Sequence, residues 1–374
     1  LINNGLIQVT GDGATAIDAT TSFNGQNVDM VDLAGIVNNG TIIATGYDAE
    51  GIRVDGASFT TAERQIVNTG TIKATDAAIV IGNFDIDAYD DNRLYNSYAG
   101  LEIVNSGTLI SEDEAVDASE TERSVYLTLL DGSKITGNLI DLTTIEVYGN
   151  VDFSGTDSSS DGANIRLRQG GWMDVGSDSR NAPAHLNFVQ PHTTIEGNLY
   201  VAGNSSLDLN LSNATRTDTA VVAVSGTAEF GKNAQIRLAA QGSDFSVQGT
   251  TYNLFQANRI DVLDAAGDNV DPNGKLNLVS SSALLKVDSY SVENNKLVAT
   301  LTGKGADEVN DMLIGQGASA NSQKALGSLN RDNLLSKLNA SDPLLRAFAN
   351  ANEADLAKLA EQLTPEVNGG ATQA

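Results

Sequence analysis

His185 and His192 are the only two histidines in the 374-residue chain, and they lie seven residues apart around Pro183 and Pro191. A serine nucleophile needs an imidazole base within hydrogen-bond reach. No Gly-x-Ser-x-Gly elbow is present to supply that nucleophile, nor are the Asp-Thr-Gly, His-Gly-Thr and Gly-Thr-Ser-Met runs of subtilisin-like enzymes. The pair therefore reads as loop histidines, and no catalytic residue is assigned. The 48 acidic residues guarantee carboxylate pairs at plausible separations for glycan chemistry. No compact basic cluster stands beside them to hold an acidic sugar.

Metal and recognition chemistry both point to one stretch. "DIDAYDDN" places Asp85, Asp87, Asp90 and Asp91 at spacings faintly like a calcium loop. That loop wants glycine at its sixth position and glutamate at its twelfth, where Asp90 and Asn96 stand. No metal or cofactor is assigned, and a solvated acidic loop is expected. Tyr89, Tyr95 and Tyr98 crowd the same segment. Exposed tyrosines offer rigid amphipathic contact area. They are the candidate partner-binding loop, against the alternative that they fold back and pack. Trp172, flanked by Gly170 and Gly171, is expected to plug the core or a cap.

The elements that must position these groups repeat. "INNGLIQVTG" (2–11), "IVNNGTIIATG" (36–46), "IVNTGTIKAT" (66–75) and "IVNSGTLI" (103–110) share one pattern, and Gly5, Gly40, Gly70 and Gly107 follow at 35, 30 and 37 residues. Short alternating strands rich in β-branched residues cannot bury an apolar face alone. Stacking them can. Ile36, Ile66 and Ile103 are then expected to lie above one another inside, and Asn38, Asn68 and Asn105 to form a turn ladder of stacked amides. The glycines are expected to supply a left-handed backbone at each corner.

Composition sets the boundaries. The formal charge is −26, which repels phosphate backbones and anionic headgroups, so no nucleic-acid or lipid-surface partner is expected. There is no cysteine, which excludes disulfides and thiolate sites and leans toward export. No apolar run reaches the ~18 residues of a membrane-spanning helix. The chain opens at Leu1 inside a repeat and is expected to be a trimmed piece of something longer.

Past residue 117 the repeat blurs, but Gly-Asn and Asp-Gly corners continue. Residues 213–302 change character. "VVAV" and "IRLAA" place Val222, Val224, Ile236 and Leu238 in an interior, and Glu293-Asn294-Asn295 makes a turn. A β-rich cap over an otherwise open strand edge is expected here. After Gly303 the period becomes helical. A helix from Ala306 ends at Gly315, and a last helix starts at Asn352 with Leu356, Leu359, Ala360 and Leu363 on one face.

This order of parts resembles the secreted passenger of a type V autotransporter of a Gram-negative bacterium. The "IVNNGTI" units are similar to that family's stalk, "TDTAVVAVSGTAEFGKNAQIRL…TYNLFQA" to its autochaperone region, and "LAKLAEQLTPEVNGGATQA" to the stretch before its barrel. The resemblance implies an all-β fold with a right-handed parallel β-helix (β-solenoid) over 1–212. It also implies an autochaperone-like β cap over 213–302 and a helical linker over 303–374 toward an outer-membrane barrel absent here. It implies export and display on, or release from, the cell surface; with no catalytic set assigned, the expected function is that of a non-enzymatic passenger acting in adhesion or self-association. The expected partners are host or neighbouring-cell surface molecules, a second copy, and its own barrel. The alternative is a β-helical scaffold presenting an N-terminal hydrolase outside this fragment.

Overall fold

The computed structural model describes residues 1–20, 22–23, 28–29, 32–33, 35–55, 58–59, 65–82, 100–156, 164–211, 215–240, 249–331, 343, 347–348 and 351–363. Strands make up 58% of the chain, and the helices of the described residues are three short ones after residue 305, so the fold is all-β.

The strands fall into three rows of parallel, in-register pairs, each residue facing its counterpart one unit away. In the first row Ile36, Ile66, Ile103, Leu127, Ile145, Met173, Leu199, Ala228 and Ile260 follow one another. The second runs Ile7, Ile42, Ile72, Leu109, Ile135, Phe153, Phe188, Leu209 and Leu238. The third runs Ile17, Ile52, Ile79, Val116, Leu139, Ile165, Ile195, Val224 and Ala257. Apart from half-buried Ile7, all of these are buried, and they share one hydrophobic core. Period-two alternation sends every second side chain inward, so three rows of branched aliphatics fill one interior. Where the row widens, Phe153 and Phe188 meet edge-to-face at 6.2 Å.

Between the first and second rows the chain turns through Asn-x-Gly. Asn3, Asn38, Asn68 and Asn105 lie in a single buried line there. Asn3 Nδ2 donates to Asn38 Oδ1 (2.8 Å), Asn38 to Asn68 (2.7 Å) and Asn68 to Asn105 (2.7 Å). The same amides reach corner carbonyls, as Asn38 Nδ2 does with Thr71 O at 3.2 Å. From Leu129 onward the position turns apolar: Leu129, Val147, Val175 and Val201 continue it.

The corner glycines are needed for a different reason from the expected one. Gly40, Gly70 and Gly107 are not left-handed. A Cβ on Gly70 would stand 2.0 Å from Gly40 O, and one on Gly107 would stand 2.1 Å from Gly70 O. Glycine is required because the backbones of successive corners touch.

Parallel pairing continues beyond residue 212, through Val222–Phe230, Gln235–Ala240 and Asn277–Ser280. Val222, Val224, Ile236 and Leu238 are all buried. Thr250–Leu263 pairs parallel to Val222–Phe230 on one side and antiparallel to Lys296–Gly303 on the other. Leu285–Glu293 then closes a hairpin with Lys296–Gly303 through Asn294 (φ 51°) and Asn295 (φ 59°). Two successive left-handed residues suit the twist of a two-residue hairpin. The reversal of direction covers an edge on which another parallel strand could add.

Helix α1 (Ala306–Gly315), α2 (Ala320–Arg331) and α3 (Glu353–Gln362) pack on this end through Val309, Leu313, Leu326, Leu356 and Ala360 against Leu284 and Leu285. Helix α1 includes Gly315, and the left-handed residue past its end is Gly317 (φ 76°), whose successor Ala318 donates to Leu313 O. Asn352 Oδ1 accepts the Asp355 amide at the start of α3 (2.9 Å). Leu356 and Ala360 are buried, Leu359 is half-buried and Leu363 is exposed.

Replacing Asn68 by Ala should cost about 1–3 kcal/mol, because it strands the Asn38 donor and the Asn105 acceptor in a buried line. Asn39→Ala, on the exposed Asn4–Asn39–Thr69 line, should stay within about 0.5 kcal/mol. Denaturant melts, with hydrogen-exchange protection of the 36–38 and 103–105 amides, check the pair. Equal losses would show the buried line to be unimportant.

Candidate functional site

The first row carries acidic, aromatic and amide side chains on its outward side. Alternation puts Leu127, Ile145, Met173 and Leu199 inside and their neighbours outside. Two outward lines result. Gln65, Glu102, Tyr126, Thr144, Trp172 and Asn198 form one. Thr128, Glu146, Asp174, Tyr200, Glu229 and Asp261 form the other.

Tyr126 is 43% exposed, and its ring lies over Gly100, where a Cβ would come within 2.7 Å of it. A groove of about 400 Å³ opens beside it, bounded by Glu102, Thr128, Thr144 and Glu146. Glu102 accepts from the neutral Gln65 amide (2.7 Å). Next to the groove, the Arg180 guanidinium stands 5.8 Å from the Tyr148 ring centroid and 3.7 Å from Glu146. It also donates to the Tyr148 hydroxyl at 2.9 Å.

Crowding of like charge on this face has a consequence. Burial, then Glu146 and Glu229, push the Asp174 carboxyl up to about 6. Burial and then Asp261 raise Glu229, opposed by Arg259. Burial raises the Tyr200 hydroxyl, and that hydroxyl donates to Asp178 at 2.6 Å.

Trp172 belongs to this outward surface, half-buried, and not to the core or a cap; its neighbour Met173 fills the interior. The alternation in "GWMDV" was the available signal. Tyr89, Tyr95, Tyr98 and the acidic run 85–91 lie outside the described residues.

A second acidic group gathers at the corner between the second and third rows. Asp76, Asp113 and Glu114 bring one carboxylate oxygen each within 4.8 Å of one another. Sequence spacing could not reveal this, because the register of Ala77 against Glu114 makes it. Three oxygens fall short of the roughly six to eight that calcium takes. Burial, then Asp117, Asp113 and Asp76, push the Glu114 carboxyl up to about 7, with Arg166 opposing.

His185 lies in the strand Ala184–Phe188 and not in a loop, and neither histidine is arranged as a base. His192 Nδ1 lies 3.0 Å from the Ala220 carbonyl while its Nε2 accepts the Arg216 amide (3.2 Å), so backbone occupies both nitrogens. His185 Nδ1 lies 2.8 Å from Ser206 Oγ, but that hydroxyl donates to Asp208 (2.7 Å) and is buried. A nucleophile needs the reverse, a proton directed at the imidazole.

A carboxyl raised by folding binds its proton more tightly folded than unfolded, so the protein gains stability as pH falls from about 8 toward 5. Thermal midpoints should therefore rise over that interval. Glu114→Gln should raise the midpoint at pH 8 and flatten the dependence. A variant as pH-dependent as the parent would remove Glu114 from the account.

No family model matches this chain, and no curated protein or solved structure matches it, so its function must be read from the residues and their arrangement.

Proposed function

We propose that the three rows wind as a right-handed parallel β-helix and that the protein is a non-enzymatic, surface-displayed passenger of the autotransporter kind. In this reading it adheres to molecules on host or neighbouring cells, or to copies of itself, through its outward side chains. The observation behind the reading is the register. Counterparts pair one unit apart along three rows, which is how one chain builds a long solid stalk from short strands.

Other features agree. The three aliphatic rows share one hydrophobic core, with the asparagine line buried at its corner. The histidines are engaged by backbone or by a buried hydroxyl. The strand edge after Thr250–Leu263 is covered by an antiparallel hairpin and helices, which suits the end of a stalk. No helix of the described residues is long and apolar enough to cross a membrane. The resemblance implies export through an outer membrane by way of a barrel of the chain's own.

The test is display. The chain is fused behind a secretion leader and ahead of an outer-membrane barrel in a non-adherent bacterium. Surface exposure is confirmed with an antibody, and then clumping and attachment to epithelial monolayers are scored. Attachment or clumping several-fold above the barrel alone is expected. Surface-exposed protein with neither property, or with turnover of peptide, ester or glycan substrates lost on replacing His185, overturns the reading.

A further inference from the structure

The outward side of the first row carries carboxylates and aromatic rings together. Two features coincide. One is a set of carboxylates on the two adjacent outward lines, Glu102 on one and Glu146, Asp174 and Glu229 on the other, in a chain of net charge −26. The other is aromatic surface interleaved with them: Tyr126 at 43% exposure beside a groove of about 400 Å³, and Trp172 one strand beyond Thr144.

The chain already shows what such a kit holds. Arg180, itself largely exposed, lies over the Tyr148 ring and against Glu146. A guanidinium is planar and weakly hydrated, so it can stack on a ring while pairing with a carboxylate. The Tyr126 groove repeats the arrangement, an exposed ring between Glu102 and Glu146, and no basic side chain lines it.

We propose that this face binds an extended, arginine-bearing segment of a partner protein, laid along the row across successive strands. The inference rests on the adhesive reading above for its setting, and it names that partner's chemistry. A second copy of this chain is disfavoured, since two acidic faces would repel. The length argues for a polymer over a small amine. From Glu102 to Glu229 the row takes five strand steps of about 4.8 Å, roughly 24 Å, which a nonapeptide spans with about two residues to spare. Like charges crowd on the face, where Glu146 and Asp174 are register partners on neighbouring strands. An arriving cation relieves that repulsion.

The probe is a fluorescein-labelled nonapeptide of alternating arginine and glycine, with its glutamate-for-arginine counterpart as control. Anisotropy is read at about 150 mM salt on the full chain. Binding of the arginine peptide alone is expected. The Tyr126→Ala and Glu146→Gln variants should each weaken it several-fold, and together by tenfold or more. Asp311→Asn, which removes one charge from α1, should leave it within twofold. Tyr126→Phe keeps the ring and should bind nearly as the parent does, which separates lost stacking from lost folding; thermal midpoints verify each variant. No binding, or equal weakening by Asp311→Asn, overturns the proposal in favour of general polyanion attraction. Cell attachment is scored separately. Peptide binding without attachment refutes only the adhesive reading, and attachment that survives Tyr126→Ala/Glu146→Gln refutes only this one.

Discussion

Everything in this protein depends on vertical register. Each strand finds its hydrogen-bond partners one unit away, so the interior residues of the three rows stack on counterparts. A slip of one residue would turn a whole strand inside out, sending Ile66 to water and Val67 to the core. Register is fixed by what cannot be moved at the corners. The buried asparagines need each other, and the corner glycines need the absence of a Cβ where backbone meets backbone. The aliphatic rows follow from those fixed points.

That hierarchy explains what could be read from the chain alone. The asparagine line and the Ile36–Ile66–Ile103 stack were legible because the same residues recur in the same order. The Asn294–Asn295 turn and the Asn352 cap were legible because each is local chemistry. Beyond Leu129 the corner turns apolar, so sequence identity between units fades while the pairing continues. Continuation of parallel pairing past residue 212 was obscured for the same reason: Leu207 against Ile236 is a pairing of shapes, with no shared motif. The role of the glycines was misjudged because a sequence shows that a side chain is missing and not which neighbour forbids it.

The outward face was the least visible part. Its chemistry is assembled across units: Glu102, Tyr126, Thr144 and Trp172 come from four strands and are neighbours only once register is known. The same holds for Asp76 and Glu114 at the opposite corner. An interior tolerates only one kind of residue at each level, so it repeats. An exterior is free to differ at each level, and the differences are where recognition can be written.

The asparagine line has one further property. All its amides point the same way, each Nδ2 donating to the Oδ1 of the next unit. Gly5 N donates to Asn3 Oδ1 at one end, and Asn105 Nδ2 donates to the Gly107 carbonyl at the other. Rotating a single amide by half a turn would set two NH₂ groups face to face on one side and two oxygens face to face on the other. The four can therefore reverse only as a set, and a reversed set would meet the corner carbonyls with oxygen. The line is an arrow built into the protein, and its sense is locked by the backbone at each corner it passes.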